Sequence, residues 1–137
     1  MFLNNIIEKL SKLATKSINV HKHAAVLIYN GKPIEWSINK IIGNKTYHAE
    51  YAVINKYLST RRKRTIIRKK NIKILVIRIG GYNKNKLINS KPCSYCIKYL
   101  RFIGIKKIYY SNNDGCITYE NIKEIHNDHV SMAYKID

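Results

Sequence analysis

Two short motifs constrain this chain more than anything else in it: His48-Ala49-Glu50 and, well downstream, Pro92-Cys93-Ser94-Tyr95-Cys96. Each stands where a helix should begin. Residues two apart on a regular helix point to different sides, so His48 and Glu50 converge only from a first turn, aiming off the helix end. Cys93 and Cys96 are three apart and share one helical face, and Pro92 suits a helix start, where its missing amide donor costs little. Between the motifs lies Ile72 to Ile79, a continuous β-branched run that reads as a central strand. A fold that uses both motifs must bring two helix N-termini together around that strand.

The donors then decide the chemistry. One neutral nitrogen and two thiolates, with a carboxylate kept off the metal, match a catalytic zinc (Zn2+) site, which takes three protein ligands and leaves the fourth position open for water. The positive ends of two helix dipoles favour thiolate over thiol. Glu50, beside the activated water, has the chemistry to carry protons as base and then acid. A lone CxxC could be a structural half-site or a redox pair, and a lone His is more often a surface or core residue. Here the four residues occur together at two helix starts, which favours the catalytic reading.

Composition sets the remaining limits. With 137 residues, 45% of them hydrophobic, the chain is expected to form one domain around a single core. No apolar run approaches a membrane span and Met1 to Lys16 mixes charge with apolar residues, so an intracellular setting is expected, with no membrane partner. Three cysteines, two of them in the CxxC, fit a reducing compartment. The net charge of +18 favours polyanionic partners, nucleic acid foremost, although the excess of Lys, Ile, Asn and Tyr also fits biased codon usage.

Periodicity supplies the elements. Residues 2 to 16 carry apolar positions at helical spacing; His23 to Tyr29 and Pro33 to Asn39 read as strands joined by the hairpin signal Asn30-Gly31. The motif helices span His48 to Leu58, after a loop around Gly43 and Asn44, and Cys93 to Phe102, with Gly104 as the stop of the second. Lys107 to Ser111 is a fourth strand, and the turn Asn113-Asp114-Gly115 folds a fifth, beginning at Cys116, back against it. A short helix is expected from Glu120 to His126. Trp36 and Cys116 read as core residues.

With these motifs in this order, the chain resembles the cytidine deaminase-like superfamily along nearly its whole length. That resemblance implies a three-layer α/β/α fold, with a five-stranded mixed sheet in which strands one and two are antiparallel and strand five is antiparallel to strand four. It implies His48, Cys93 and Cys96 as zinc ligands, Glu50 as proton shuttle, Asn39 as a substrate contact and the Ala49 amide as a donor to the base carbonyl. A histidine first ligand points away from classical free-nucleoside enzymes. Combined with a C-terminal hairpin, it is similar to the toxin-type and organellar RNA-editing branches.

The expected reaction is hydrolysis of cytosine to uracil, on cytosine in single-stranded DNA or RNA. Arg61, Arg62, Lys63 and Arg64, with Arg68, Lys69 and Lys70, could follow a phosphate backbone, or simply be solvated. Among Tyr47, Tyr51 and Tyr95, Tyr95 is the favoured stacking residue. His21 and His23 could reach the pocket mouth, though ordinary surface histidines are the commoner case. The alternatives are a free cytidine or deoxycytidine nucleotide or base as substrate, a tRNA adenosine deaminase, or an inactive nucleic-acid-binding protein; a homo-oligomer is also compatible.

Overall fold

The computed structural model describes residues 2–17, 22–42, 45–61, 67, 69–80 and 86–125. In chain order the elements are α1 (Phe2–Ala14), β1 (Lys22–Tyr29), β2 (Lys32–Ile38), β3 (Lys40–Ile42), β4 (Lys45–Tyr47), α2 (Ala49–Arg61), β5 (Lys73–Ile79), β6 (Leu87–Ile88), α3 (Ser94–Ile103), β7 (Lys107–Ser111) and β8 (Ile117–Asn121). The main sheet has the order β2-β1-β5-β7-β8. Among the described residues only β5 and β7 pair in parallel, and α3 lies on the crossover between them.

A strand that is apolar at every position must be covered on both faces. Here both are. From β1 and β5, Ala24, Val26, Leu75, Ile77 and Ile79 pack with Ile6, Leu10 and Ala14 of α1, while Ala25, Leu27, Ile74 and Val76 pack with Val53, Ile54 and Tyr57 of α2 and Ile97, Leu100 and Ile103 of α3. Alternate side chains thus build two cores around one sheet, and the three-layer α/β/α expectation holds.

The turns follow their sequences. Asn30 and Gly31 both take positive φ, 51° and 73°, as the two-residue β1–β2 hairpin requires. Gly104, at φ 102°, ends α3 and donates its amide to Leu100 and Arg101 carbonyls. In the β7–β8 connection the organising residue is Asn112, whose side-chain oxygen accepts the Asp114 and Cys116 amides at 2.9 and 3.1 Å.

Several expectations change. The five expected strands form the main path of the sheet, to which the two-residue β6 adds at Arg78 and Ile79; β3 and β4 pair antiparallel as a separate two-stranded sheet, and Gly43 and Asn44 lie outside the described residues. Elements of two or three residues are too short to show any hydrophobic period. Among the described residues no helix forms from Glu120: β8 continues to Asn121 and gives way to a turn at 122–124, because pairing with Lys107 and Ile108 outweighs the weak helical pattern, and His126 lies outside those residues. Arg101 secures that turn through the Ile122 and Ile125 carbonyls. Cys116 is exposed at the end of the hairpin turn, and Trp36 is half-buried at the margin of the α1 core.

Candidate active site

His48 and Cys93 occupy equivalent places. The His48 carbonyl accepts the Ala52 amide at 2.9 Å and the Cys93 carbonyl accepts the Ile97 amide at 3.0 Å, so each residue is the one at which its helix begins. Cys93 has extended backbone, φ −70° and ψ 169°, and its thiol makes no capping hydrogen bond. Glu50 follows in the first turn of α2 and Cys96 in that of α3. The two helix starts meet as the sequence demands.

The sheet makes room for this meeting. β7 pairs with β5 through Ile74, Leu75 and Val76, then departs, and β6 takes its place at Arg78 and Ile79. At the split, ladder groups would lack partners. Two buried serines supply them. The Ser90 hydroxyl donates to the Val76 carbonyl at 2.8 Å and accepts the Ser111 amide at 2.8 Å; the Ser111 hydroxyl donates to the Ile88 carbonyl at 2.6 Å and accepts the Arg78 amide at 3.2 Å. The hydroxyls also touch each other at 2.9 Å. This clamp ties the segment just before Pro92 and Cys93 to the carboxyl ends of β5 and β7. Sequence reading missed both serines, because isolated Ser residues near strand ends carry no period. The one available signal was Ser90 within the same short stretch as Pro92-Cys93.

At the site itself, His48 Nδ1 lies 3.2 Å from Cys96 Sγ and 3.9 Å from Cys93 Sγ. The three donor atoms all lie within 4.8 Å of one another. A tetrahedral zinc with bonds of about 2.0–2.3 Å spaces its ligand atoms roughly 3.5–3.8 Å apart, so this triangle fits such an ion with small adjustments. The donor set of one imidazole and two thiols suits zinc, and the enclosure of both cysteines and Glu50 excludes bulk water.

Electrostatics support the fit. The Cys93 thiol is brought down to about 3, chiefly by its hydrogen bond with the Cys96 thiol, with burial opposing and His48 adding. Glu50 is raised above the ordinary carboxylate range, mainly by burial, with His48 pulling the other way. His48 is itself raised: burial opposes its charge, but the Cys93 bond and the Glu50 charge together outweigh it. These groups form a mutually charged cluster out of water, a setting that a divalent cation would stabilise.

The other expected residues are distributed as follows. Ala49 opens α2 and is fully buried. Asn39 is also buried, with its side-chain oxygen accepting the Ser17 hydroxyl at 2.7 Å and the His23 amide at 3.2 Å, which ties the ends of α1 and β2 to β1. Tyr95 is 46% exposed in the first turn of α3, with Lys98 Nζ 5.8 Å from its ring centre. Tyr47 and Tyr51 stack at 5.6 Å, and Tyr51 meets Tyr99 at 5.1 Å, so these rings pack in a row. Arg61 ends α2; Arg62, Lys63, Arg64, Arg68 and His21 lie outside the described residues. His23 is half-buried in β1. No helix among the described residues is long and apolar enough to cross a membrane.

Comparison with known proteins agrees with this geometry. Residues 3–112 match the family described as the cytidine and deoxycytidylate deaminase zinc-binding region. No curated protein matches the chain in sequence. Among solved structures, cytidine deaminase from Burkholderia pseudomallei is similar with a TM-score of 0.65 at 14% identity, over 90% of this chain and 95% of that one. The apo dCMP deaminase of cyanophage S-TIM5 gives a TM-score of 0.52 at 19% identity, covering 80% and 84%. The same phage enzyme in complex with dCMP and dUMP gives 0.52 at 17% identity, covering 80% and 77%. At such identities the structures testify to the fold alone. With the family match extending from α1 through the end of β7 and including both motifs, the chain belongs to the zinc-dependent cytidine and deoxycytidylate deaminase family.

Proposed function

We infer that this chain hydrolyses cytosine to uracil with zinc held by His48, Cys93 and Cys96, and that its substrate is cytosine within single-stranded DNA or RNA. The observation carrying the catalytic reading is the convergence of those three donors with a buried Glu50 at two helix starts. Zinc, when bound, lowers the pKa of a water toward about 7 and so supplies a nucleophile at neutral pH.

Glu50 moves the protons. Its carboxylate takes one from the attacking water, passes it to the ring nitrogen N3, and returns a second to the amino group, which leaves C4 as ammonia while a carbonyl forms in its place. Burial suits both duties, since a carboxyl raised above its ordinary range holds a proton more readily at neutral pH. The Ala49 amide, in the first turn of α2, is the donor proposed for the base carbonyl.

The polymer reading draws on the exposed Tyr95 ring beside the metal ligands and on the charge of +18. Free deoxycytidylate is the second reading, favoured by the family's description and by the fold likeness to a phage enzyme captured with dCMP and dUMP. Incubation with cytidine, dCMP, single-stranded DNA and single-stranded RNA at low and high salt separates them. Ammonia released from a strand and suppressed by salt supports the first; salt-resistant release from dCMP alone replaces it with the second.

A further inference from the structure

A basic surface lies at the far end of the sheet from His48, Cys93 and Cys96. Cys93 is tied to the carboxyl ends of β5 and β7, whereas this surface is built on their amino ends, on the face that α1 partly covers. Side chains alternate across a strand, and Ile74, Val76, Ile108 and Tyr110 face α2 and α3, so Lys73, Lys107 and Tyr109 face the opposite way. Tyr119 is the cross-strand partner of Tyr109 in the β7–β8 pair and shares that face. The two rings meet at 4.3 Å, and Tyr119 remains 43% exposed.

Two lysines lie over the Tyr119 ring. Lys73 and Lys107 sit on neighbouring parallel strands, and their ammonium groups lie 5.6 and 5.5 Å from the Tyr119 ring centre. Beside them opens a pocket of about 220 Å³ whose lining includes Lys70, Lys73, Asn71 and Tyr109 together with the apolar Leu3 and Ile28, with no carboxylate among the described residues. An exposed aromatic ring with two ammonium groups over it, next to a pocket that shares Lys73, matches what a nucleotide within a strand presents: a base that can replace an ammonium group on the ring and a phosphate that the displaced lysine can pair with.

We propose that this face, formed by Tyr119, Tyr109, Lys73, Lys107 and the Lys70 pocket, binds single-stranded nucleic acid at a site separate from the catalytic centre. Stacking on Tyr119 holds a base, and the lysines hold the adjoining phosphates. The assignment goes beyond the catalytic reading and stands whichever cytosine substrate reacts.

The test uses the full zinc-loaded chain and labelled oligothymidylate of about fifteen nucleotides, which has no amino group for a deaminase to remove. Binding is read by fluorescence anisotropy across salt concentrations, with dTMP as a competitor. Tyr119→Ala should weaken binding at least about fivefold, and Tyr119→Phe should restore it. Lys73→Gln and Lys107→Gln should each lower the slope of log affinity against log salt by about 0.7. Unchanged affinity and slope in both lysine variants, with native melting temperature and zinc content, overturns the site. Equal occupancy by dTMP, with nothing gained from the longer strand, overturns the polynucleotide assignment. Loss of catalysis on any substrate leaves these readouts untouched, so failure here and failure of the proposed reaction are distinguishable.

Discussion

Replacing Ser90 by alanine tests how far the metal-binding loop depends on the split in the sheet. The hydroxyl donates to the Val76 carbonyl, accepts the Ser111 amide and lies 2.9 Å from the Ser111 hydroxyl, and all three residues are buried. Alanine orphans a carbonyl and an amide at once. The lost oxygen leaves too little space for a water to replace it. With each stranded group costing about 1–3 kcal/mol, the variant should lose about 3 kcal/mol, and a chain of this size should then melt roughly 10 °C lower. Because Ser90 fixes the segment leading to Cys93, zinc affinity should also fall, by about 10- to 100-fold as for other residues that orient metal ligands. Thermal melting with and without zinc, and competition against a chromogenic chelator, measure the two effects. Ser59→Ala removes an exposed hydroxyl bonded to the Lys56 carbonyl and should change stability by less than about 0.5 kcal/mol. If Ser90→Ala melts and binds zinc like the native chain, the clamp is incidental and the argument from the split fails.

Four further outcomes follow from the site and its supports. Glu50→Gln should abolish ammonia release while metal analysis still finds one zinc per chain; retained turnover would remove Glu50 from the mechanism. In metal-stripped protein the same substitution should stabilise. The folded-state pKa of Glu50 is raised, so its contribution is unpenalised below the ordinary carboxylate range and is lost as pH rises through that range toward the folded value. The gain from glutamine should therefore be present at pH 7 and vanish near pH 4, as urea melts at both pH values would show. Cys93→Ser should lose zinc at chelator concentrations that leave the native chain loaded, because the cluster then lacks the thiolate held down to about 3. Asn39→Ala should lower stability by about 1–3 kcal/mol even in zinc-saturated protein, since it removes the buried oxygen that accepts from the Ser17 hydroxyl and the His23 amide; an effect on KM with unchanged melting would make it a substrate contact only.

What could be read from sequence was whatever rests on local rules. Asn30-Gly31 dictated a hairpin because few pairs tolerate positive φ at both positions, and Gly104 closed its helix for a related reason. The apolar runs of β1 and β5 announced strands buried on both faces, and the two motifs announced helix starts that meet and bring three metal-binding donors together. Where the signal was short or shared with another partner, it did not suffice. The two- and three-residue strands have no period, and Glu120 extends β8 through pairing that a helical pattern cannot reveal. Cys116 lies outside the core because the Asn112 turn holds it at a hairpin tip.

The residue types and spacing of His48, Glu50, Cys93 and Cys96 determined by themselves which chemistry is available, since ligand identity and helical phase are properties of the chain alone. Only the tertiary structure decided how that chemistry is held. The lapse of β7 from β5, the serine pair that fills it, and the meeting of Tyr119 with lysines from two other strands all depend on hydrogen bonds and packing between segments far apart in sequence. Such contacts follow from strand order and register, which no local pattern encodes.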